Sequence, residues 1–318
     1  MIARREELVT LFGGAGFVGR YVTEYLLRSG VRVRIASRNP RRDYFIQPLA
    51  QVGQFGFVQA DVTNRDSIRH AVHGASAVIN LVGVFGRAMQ AVHVDGARHI
   101  AEAAKKAGAG ALVHVSAIGA DPKAASNDGR TKGEGEAAVR KAFKAATIIR
   151  PSLAFGPEDK LTNRFAAMAQ LPVLPIIAAK RNFQPVFVRD LAQAIAKATV
   201  APDTYGGTTY EIGGPQVLSM RGLHEEILGI TGQQPALIEL PDLAASLMSA
   251  FGFLPGAPLT RDQWLMLQRD NVTTTGAPGL EAFGIPPTPL AAVADEWLSR
   301  FRKGGKFAGR PTSLTTTI

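Results

Sequence analysis

The chain contains no cysteine. Disulfides, thiolate nucleophiles and cysteine-based zinc sites are thereby excluded, and the absence fits a reducing compartment. Histidine is scarce, with six in 318 residues, and its spacing offers no metal set. His70 and His73 could share a helical face, His93 and His99 do not match a three- or four-residue spacing, and the histidines read as solvated or capped. No stretch approaches the roughly 20 apolar residues of a membrane span. The nearest, Leu171 to Ala179, holds two prolines and reads as a loop. Nor is a secretory signal expected, since Met1-Ile2-Ala3-Arg4-Arg5-Glu6-Glu7 leads directly into the first apolar run. Internal repeats are absent, and low complexity is confined to the polar stretch Thr312 to Thr317. Acidic residues are in the minority, 26 against 36 basic ones, giving a net charge of +10. That balance favours an acidic partner. No helix-turn-helix, zinc-finger or aromatic stacking pattern accompanies it, so anionic lipid headgroups or an acidic protein surface fit better than nucleic acid.

What is present is enough for a large core: 46% of the residues are hydrophobic. The apolar stretch Leu8-Val9-Thr10-Leu11-Phe12 runs into Gly13-Gly14-Ala15-Gly16-Phe17-Val18-Gly19 and then an amphipathic segment to Ser29, which spells strand, tight turn, helix. Glycines at 13, 16 and 19 permit the turn, allow backbone to approach a pyrophosphate and let helix pack on strand. Further apolar runs follow at Val31-Ala36, Phe55-Gln59, Ala77-Leu81, Leu112-Ser116 and Thr147-Arg150, each trailed by turn or helical character. The alternation predicts an α/β fold, a doubly wound parallel sheet of the dinucleotide-binding (Rossmann) kind, with a smaller α+β C-terminal lobe. The division expected is 1–155 for the nucleotide domain, rejoined by segments around 183–215, and 156–318 for the smaller lobe and a basic tail.

Ligands of such sheets bind beyond the carboxyl ends of the strands. The candidates there are Gly13, Gly16, Phe17, Val18 and Gly19, then Ser37 and Arg38, Asp61 and Val62, Leu81, Val82 and Gly83, and Ser116. The second strand closes on Ser37-Arg38, with no acid before Asp43. Because an acid binds a ribose 2′-hydroxyl and an arginine a 2′-phosphate, NADPH is the cofactor expected.

Together these residues resemble the atypical, extended short-chain dehydrogenase/reductase family over roughly the first 220 positions. The likeness rests on the glycine run, on Ala60-Asp61-Val62-Thr63, Asn80-Leu81-Val82-Gly83, Val94-Asp95-Gly96, Arg150-Pro151-Ser152-Leu153-Ala154-Phe155-Gly156-Pro157, Gln184 to Asp190 and Tyr210 to Pro215. Within that family the branch most similar is that of the nucleotide-binding accessory subunits of respiratory complex I, through His114 to Asp121, the segment Asp128 to Lys132 and Phe183-Gln184-Pro185-Val186-Phe187-Val188. The resemblance implies an adenine contact at Asp61 and Val62, ribose binding by Lys132, and further cofactor contacts at Pro151 and Leu153. It also implies partners among the other complex I subunits, and a peripheral place on the cytoplasmic face of a bacterial inner membrane or the matrix side of a mitochondrial one.

The family's chemistry needs Tyr-x-x-x-Lys, a phenol that exchanges a proton with substrate beside a lysine. Here the segment reads Asp128-Gly129-Arg130-Thr131-Lys132. A phenol starts near pKa 10 and can be tuned toward neutrality, whereas a carboxylate starts near 3.9, so the exchange removes the proton donor. The five tyrosines, at 21, 25, 44, 205 and 210, are remote in sequence. Asp128-Gly129 otherwise reads as a loop before a helix that starts near Arg130.

In the second lobe, the uncharged run Leu243 to Leu254 is either core or a patch for a partner or membrane surface. The segment Arg300 to Arg310 reads as an extended basic arm. Three roles stay open: a catalytically silent, NADPH-holding accessory subunit of complex I, a working reductase or epimerase with another proton donor, and a nucleotide-sensing regulator.

Overall fold

The computed structural model describes residues 7–250, 252 and 259–305. β1 (Leu8–Phe12) is apolar along nearly its whole length and buried from Val9 onward, as a strand covered on both faces must be. It lies inside a seven-stranded sheet, flanked by β2 (Arg32–Ser37) and β4 (Ala77–Asn80). β3 (Phe55–Gln59) forms one edge beyond β2; β5 (Ala111–Val115), β6 (Thr147–Pro151) and the strand Thr209–Ile212 continue past β4. Every pairing is parallel. The chain builds outward from β1 to β3 and then restarts at β4 on the other side of β1. That reversal opens a crevice beyond the strands' carboxyl ends.

Helices cover both faces. α1 (Phe17–Arg28) and α5 (Val188–Val200) share one buried cluster with the far end of the chain, while α2 (Arg65–Val72), α3 (Ala97–Lys106) and α4 (Asn127–Ala142) contribute to another. α3 is preceded by a π-helical turn, Gln90–Gly96. It approaches α4 closely because position 135 is glycine: a Cβ there would lie 2.1 Å from the His93 carbonyl oxygen.

α4 starts three residues before the sequence suggests. Ser126 caps it, its hydroxyl accepting from the Gly129 N–H at 3.2 Å, and the Asp262 carboxylate from the second lobe accepts from the N–H groups of Asn127 and Asp128. With its first donors satisfied, the helix extends through Asp128 and Gly129 instead of leaving them in a loop.

Outside the seven-stranded sheet lie a parallel two-stranded ribbon, Val173–Ile176 with Ala236–Glu239, and the helices Met220–Thr231, Asp242–Ala250 and Arg261–Met266. Leu171 to Ala179 is therefore not wholly a loop. Pro175 is tolerated because a two-stranded ribbon has only edges, where a missing N–H leaves no ladder bond unmade. In the apolar run, Ala245 and Ser249 point inward while Leu243 and Leu247 are 75% and 60% exposed. Phe251, Phe253 and Leu254 lie outside the described residues. The basic arm begins folded against its own lobe: the Phe301 carbonyl accepts from Gln233 Nε2 at 2.7 Å, and Arg302 Nε donates to the Ile230 carbonyl at 3.2 Å. Lys306 to Arg310 lie outside the described residues. Among the described residues no helix is long and apolar enough to cross a membrane.

An arginine pins α4 to the sheet. Arg150 donates from Nε and Nη2 to Glu136 at 2.9 and 2.7 Å and meets Glu211 at 3.4 Å, and Glu211 also accepts the Thr274 N–H at 2.7 Å. Both glutamates are buried. Arg150→Met leaves two buried carboxylates without their cation and is expected to cost about 3–5 kcal/mol in urea denaturation. A loss under about 1 kcal/mol, the usual worth of a surface pair, would show the cluster to be peripheral.

Candidate functional site

The turn after β1 needs a glycine at 13, where φ is +81° and a Cβ would sit 3.2 Å from the Leu81 carbonyl carbon. Gly16 donates to the Gly13 carbonyl at 3.0 Å and stands at the N-cap of α1 without a capping side chain. No acid occupies the first turn of that helix. The positive end of α1 is thus left for an external anion. Gly19 is pressed inward, since a Cβ would lie 2.2 Å from the Gly13 oxygen, and it sets the approach of helix to turn.

Over this turn opens a cavity of about 430 Å³, within the range of small-molecule sites. Of the residues expected at the site, Gly13, Gly16, Ser37, Arg38, Asp61, Val62 and Val82 line it. Asp43, Val84, Ala88 and Val92 join them from the segments after β2 and before α3. Asp43 stands in the same wall as Arg38, so the cavity carries both signs of charge. The Asp61 carboxylate is held below its usual range by the Thr63 N–H at 2.9 Å and by the Thr63 hydroxyl at 2.7 Å.

The other expected residues do not line the cavity. Phe17 packs edge-on to Tyr21 and against Gly156, and Val18 rests on the core. Leu81 donates to the Phe12 carbonyl at 2.9 Å, and Gly83 is exposed. Ser116 is buried with a hydroxyl that finds no partner. Pro151 accepts from the Ile118 N–H at 3.1 Å, and Leu153 donates to Asn271 Oδ1 at 3.1 Å. Lys132 donates from Nζ to Asp128 Oδ2 at 2.9 Å, and Asp128 is only 3% exposed.

Beside Asp128 the space is small. A cavity of about 60 Å³ remains between Ile118, Gly119, Ser126 and the segment from Leu265 to Asn271, room for a few waters and far below the volume a substrate fills. Asn271 closes it further, its Oδ1 accepting from Ser152 Oγ at 2.7 Å as well as from Leu153.

Two histidines that the sequence suggests are solvated or capped are buried here. Asn80 Nδ2 reaches His114 Nδ1 at 3.1 Å; His93 Nε2 accepts the Val84 N–H at 3.0 Å, with its Nδ1 at 2.9 Å from Thr131 Oγ1. Burial pushes His114 down to about 4, with His93 and Lys132 acting the same way. His93 is lowered by burial first and by Lys132 second. Their place on a π-helical turn and at the end of a buried strand left no polar periodicity to mark them. Among the described residues no cluster could hold a metal ion.

A family model described as NAD(P)H-binding matches residues 13–156. The mitochondrial protein NADH dehydrogenase (ubiquinone) 1 alpha subcomplex subunit 9 of Mus musculus is 36% identical over 304 residues, 93% of this chain and 80% of that protein. Its counterpart in Arabidopsis thaliana is 30% identical over 327 residues, 96% of this chain and 81% of that one. Among solved structures, the NADPH-dependent quinone oxidoreductase QOR2 of Escherichia coli complexed with NADPH superposes with a TM-score of 0.74 at 20% identity, covering 91% of this chain and 99% of that chain, which speaks to the shared fold.

The buried imidazoles make stability depend on pH. An exposed histidine titrates near 6.5 and folded His114 only near 4, so between these values the unfolded chain binds more protons. Stability is then full above 6.5 and falls as pH drops toward 4, by at most about 1.4 kcal/mol per pH unit for each such group. Urea midpoints are expected to decline from pH 7 to pH 5, and His114→Gln to flatten part of that slope; midpoints that do not move would contradict a neutral buried His114.

Proposed function

The chain belongs to the family of the NADH dehydrogenase (ubiquinone) 1 alpha subcomplex subunit 9 proteins, and from that premise we propose that it is a non-catalytic, NADPH-holding accessory subunit of respiratory complex I. The observation that carries this reading is the pair Asp128–Lys132, closed in beside a space of about 60 Å³. When bound, the nicotinamide could supply a hydride. A carbonyl that receives hydride also needs a proton, and the group standing where the family's phenol would stand accepts a hydrogen bond from Lys132 instead of offering one. The small volume beside that pair supports the same reading.

The open end of the cleft keeps its binding role. Gly13 and Gly16 with the first N–H groups of α1 hold the pyrophosphate, and Asp61 and Val62 flank the adenine. Arg38 pairs with the 2′-phosphate. Phe17, Val18, Leu81, Val82 and Gly83 border the path toward the nicotinamide, near Ser116, Lys132, Pro151 and Leu153. Gly19 supports the turn and Ser37 the ribose. The subunit sits peripherally, on the cytoplasmic face of a bacterial inner membrane or its mitochondrial equivalent, where it stabilises or helps assemble the complex near its junction with the membrane arm. Anionic headgroups there would suit the net charge of +10.

Native purification from membranes with mass spectrometry of partners and nucleotide tests this: the chain is expected with complex I subunits and carrying NADPH, and recovery as a free protein would overturn it. A charge-assisted guanidinium–phosphate contact contributes on the order of 1.5–3 kcal/mol, so NADPH should bind about ten- to a hundredfold more tightly than NADH. Arg38→Ala is expected to erase most of that difference, and Asp43→Asn to widen it by removing an opposing charge. Resident NADH, or an unchanged preference in Arg38→Ala, would assign the 2′-phosphate elsewhere.

A further inference from the structure

In a parallel sheet wound by helices, the C-terminal ends of the helices and the N-terminal ends of the strands meet at the pole opposite the cleft. Contacts fix that pole here. Arg34 donates from Nη1 to the carbonyls of Ala71 and His73 at the end of α2, at 2.8 and 2.7 Å. Arg140, in the last turn of α4, donates to the Gly207 carbonyl at 2.9 Å, just before the strand Thr209–Ile212. Arg32, Lys105, Lys106, Lys141 and Lys144 all lie there, exposed and in no ion pair among the described residues. Among the described residues the acids at this pole are Glu7, Glu102, which reaches Arg65 at 4.0 Å, and Asp203.

Lysines at helix C-termini are explained by the helix dipole. The notch beside β2 is not. Arg32 and Arg34, two apart on one strand, send their side chains to the same face. In register with Arg34 on the edge strand β3 stands Gly56, and nothing lies within 4 Å of where its Cβ would be. The result is a cavity of about 180 Å³ walled by both guanidinium-bearing residues, Gln54, Phe55 and Phe57. Burial, and after it the Arg32 charge, lowers the pKa of Arg34, whose hydrogen-bond acceptors among the described residues are the two neutral carbonyls at the end of α2. Val52, at the rim, is fully exposed.

We infer that this pole docks an acidic protein partner, one of whose carboxylate side chains enters the notch between Arg32 and Arg34 while the four lysines meet further acids around it. The inference rests on the reading of the chain as a subunit of a larger assembly. A protruding carboxylate suits a recessed, two-guanidinium hole, which can bind it bidentately. A bilayer fits less well: beside the single exposed Val52 at the rim, the ends of α2, α3 and α4 offer no exposed large apolar side chain to insert. Nor do stacking aromatics stand free for nucleic acid, since Phe55 and Phe57 are engaged edge-on at 4.7 Å.

The test has an arm that does not depend on complex I. The isolated chain is titrated with a polyglutamate peptide and with phosphatidylglycerol vesicles, as wild type, Arg32→Glu and Arg32→Lys, with retained nucleotide measured alongside. Wild type is expected to bind the peptide with strong salt dependence, Arg32→Glu about tenfold or more weakly, and Arg32→Lys in between, all with unchanged nucleotide. Peptide binding that is absent, or equal in Arg32→Glu, overturns the inference. Tighter binding to vesicles that is lost in Arg32→Glu assigns the pole to lipid and overturns it too. In membranes, Arg32→Glu is expected to lower occupancy of the complex; wild type binding the peptide but missing from the complex would sink the proposed function and leave this surface standing.

Discussion

Lys132 Nζ donates to the Asp128 carboxylate across 2.9 Å, one turn away on α4, in a place where Asp128 is almost wholly enclosed. A buried carboxylate without a cation would be strongly disfavoured, so the lysine that could otherwise face a ribose is also committed to neutralising its neighbour. The same helix start recruits Asp262, whose carboxylate takes the N–H groups of Asn127 and Asp128 and so draws the helix Arg261–Met266 down onto α4. Behind it come residues from Leu265 to Asn271, which line the small cavity beside Asp128. Helix start, ion pair and inter-lobe contact form one arrangement, and no member can change without exposing a charge or an unpaired donor.

The two cavities differ in character. The one beside β1 and β2 is roomy, with an uncapped helix N-terminus, an arginine and two aspartates in its wall. The one beside α4 is small, and the Asp128 carboxylate in its lining is paired with Lys132. On the proposed reading the first holds a dinucleotide by its phosphates and adenine, while the second offers neither a proton donor nor the space for turnover at the nicotinamide. Binding energy that a ligand gives to the folded state alone would then add to the stability of the subunit.

Much of the fold was legible because it rests on local signals. The apolar runs marked six strands of the sheet to within a residue or two, and the glycine turn at 13–19 fixed the first crossover. What escaped the sequence depends on distant partners. The start of α4 is set by Asp262, 134 residues from Asp128. The strand Val173–Ile176 exists because Ala236–Glu239 pairs with it despite Pro175. His93 and His114 are buried by a π-helical turn and by the glycine that lets α4 approach it, neither of which leaves an apolar period to read. The Arg300 segment read as an arm because nothing in its composition announces Gln233 and Ile230 as its partners.

Retention of hydride separates a nucleotide that is held from one that turns over. NADPH carrying deuterium at both C4 positions is loaded onto the chain, which is then incubated with sugar, ketone and quinone substrates before the nucleotide is extracted and weighed. Reduced nucleotide with both deuterons in place is expected after prolonged incubation. Transfer of deuterium to any of these substrates, abolished in Lys132→Ala, would contradict it and make this chain an enzyme.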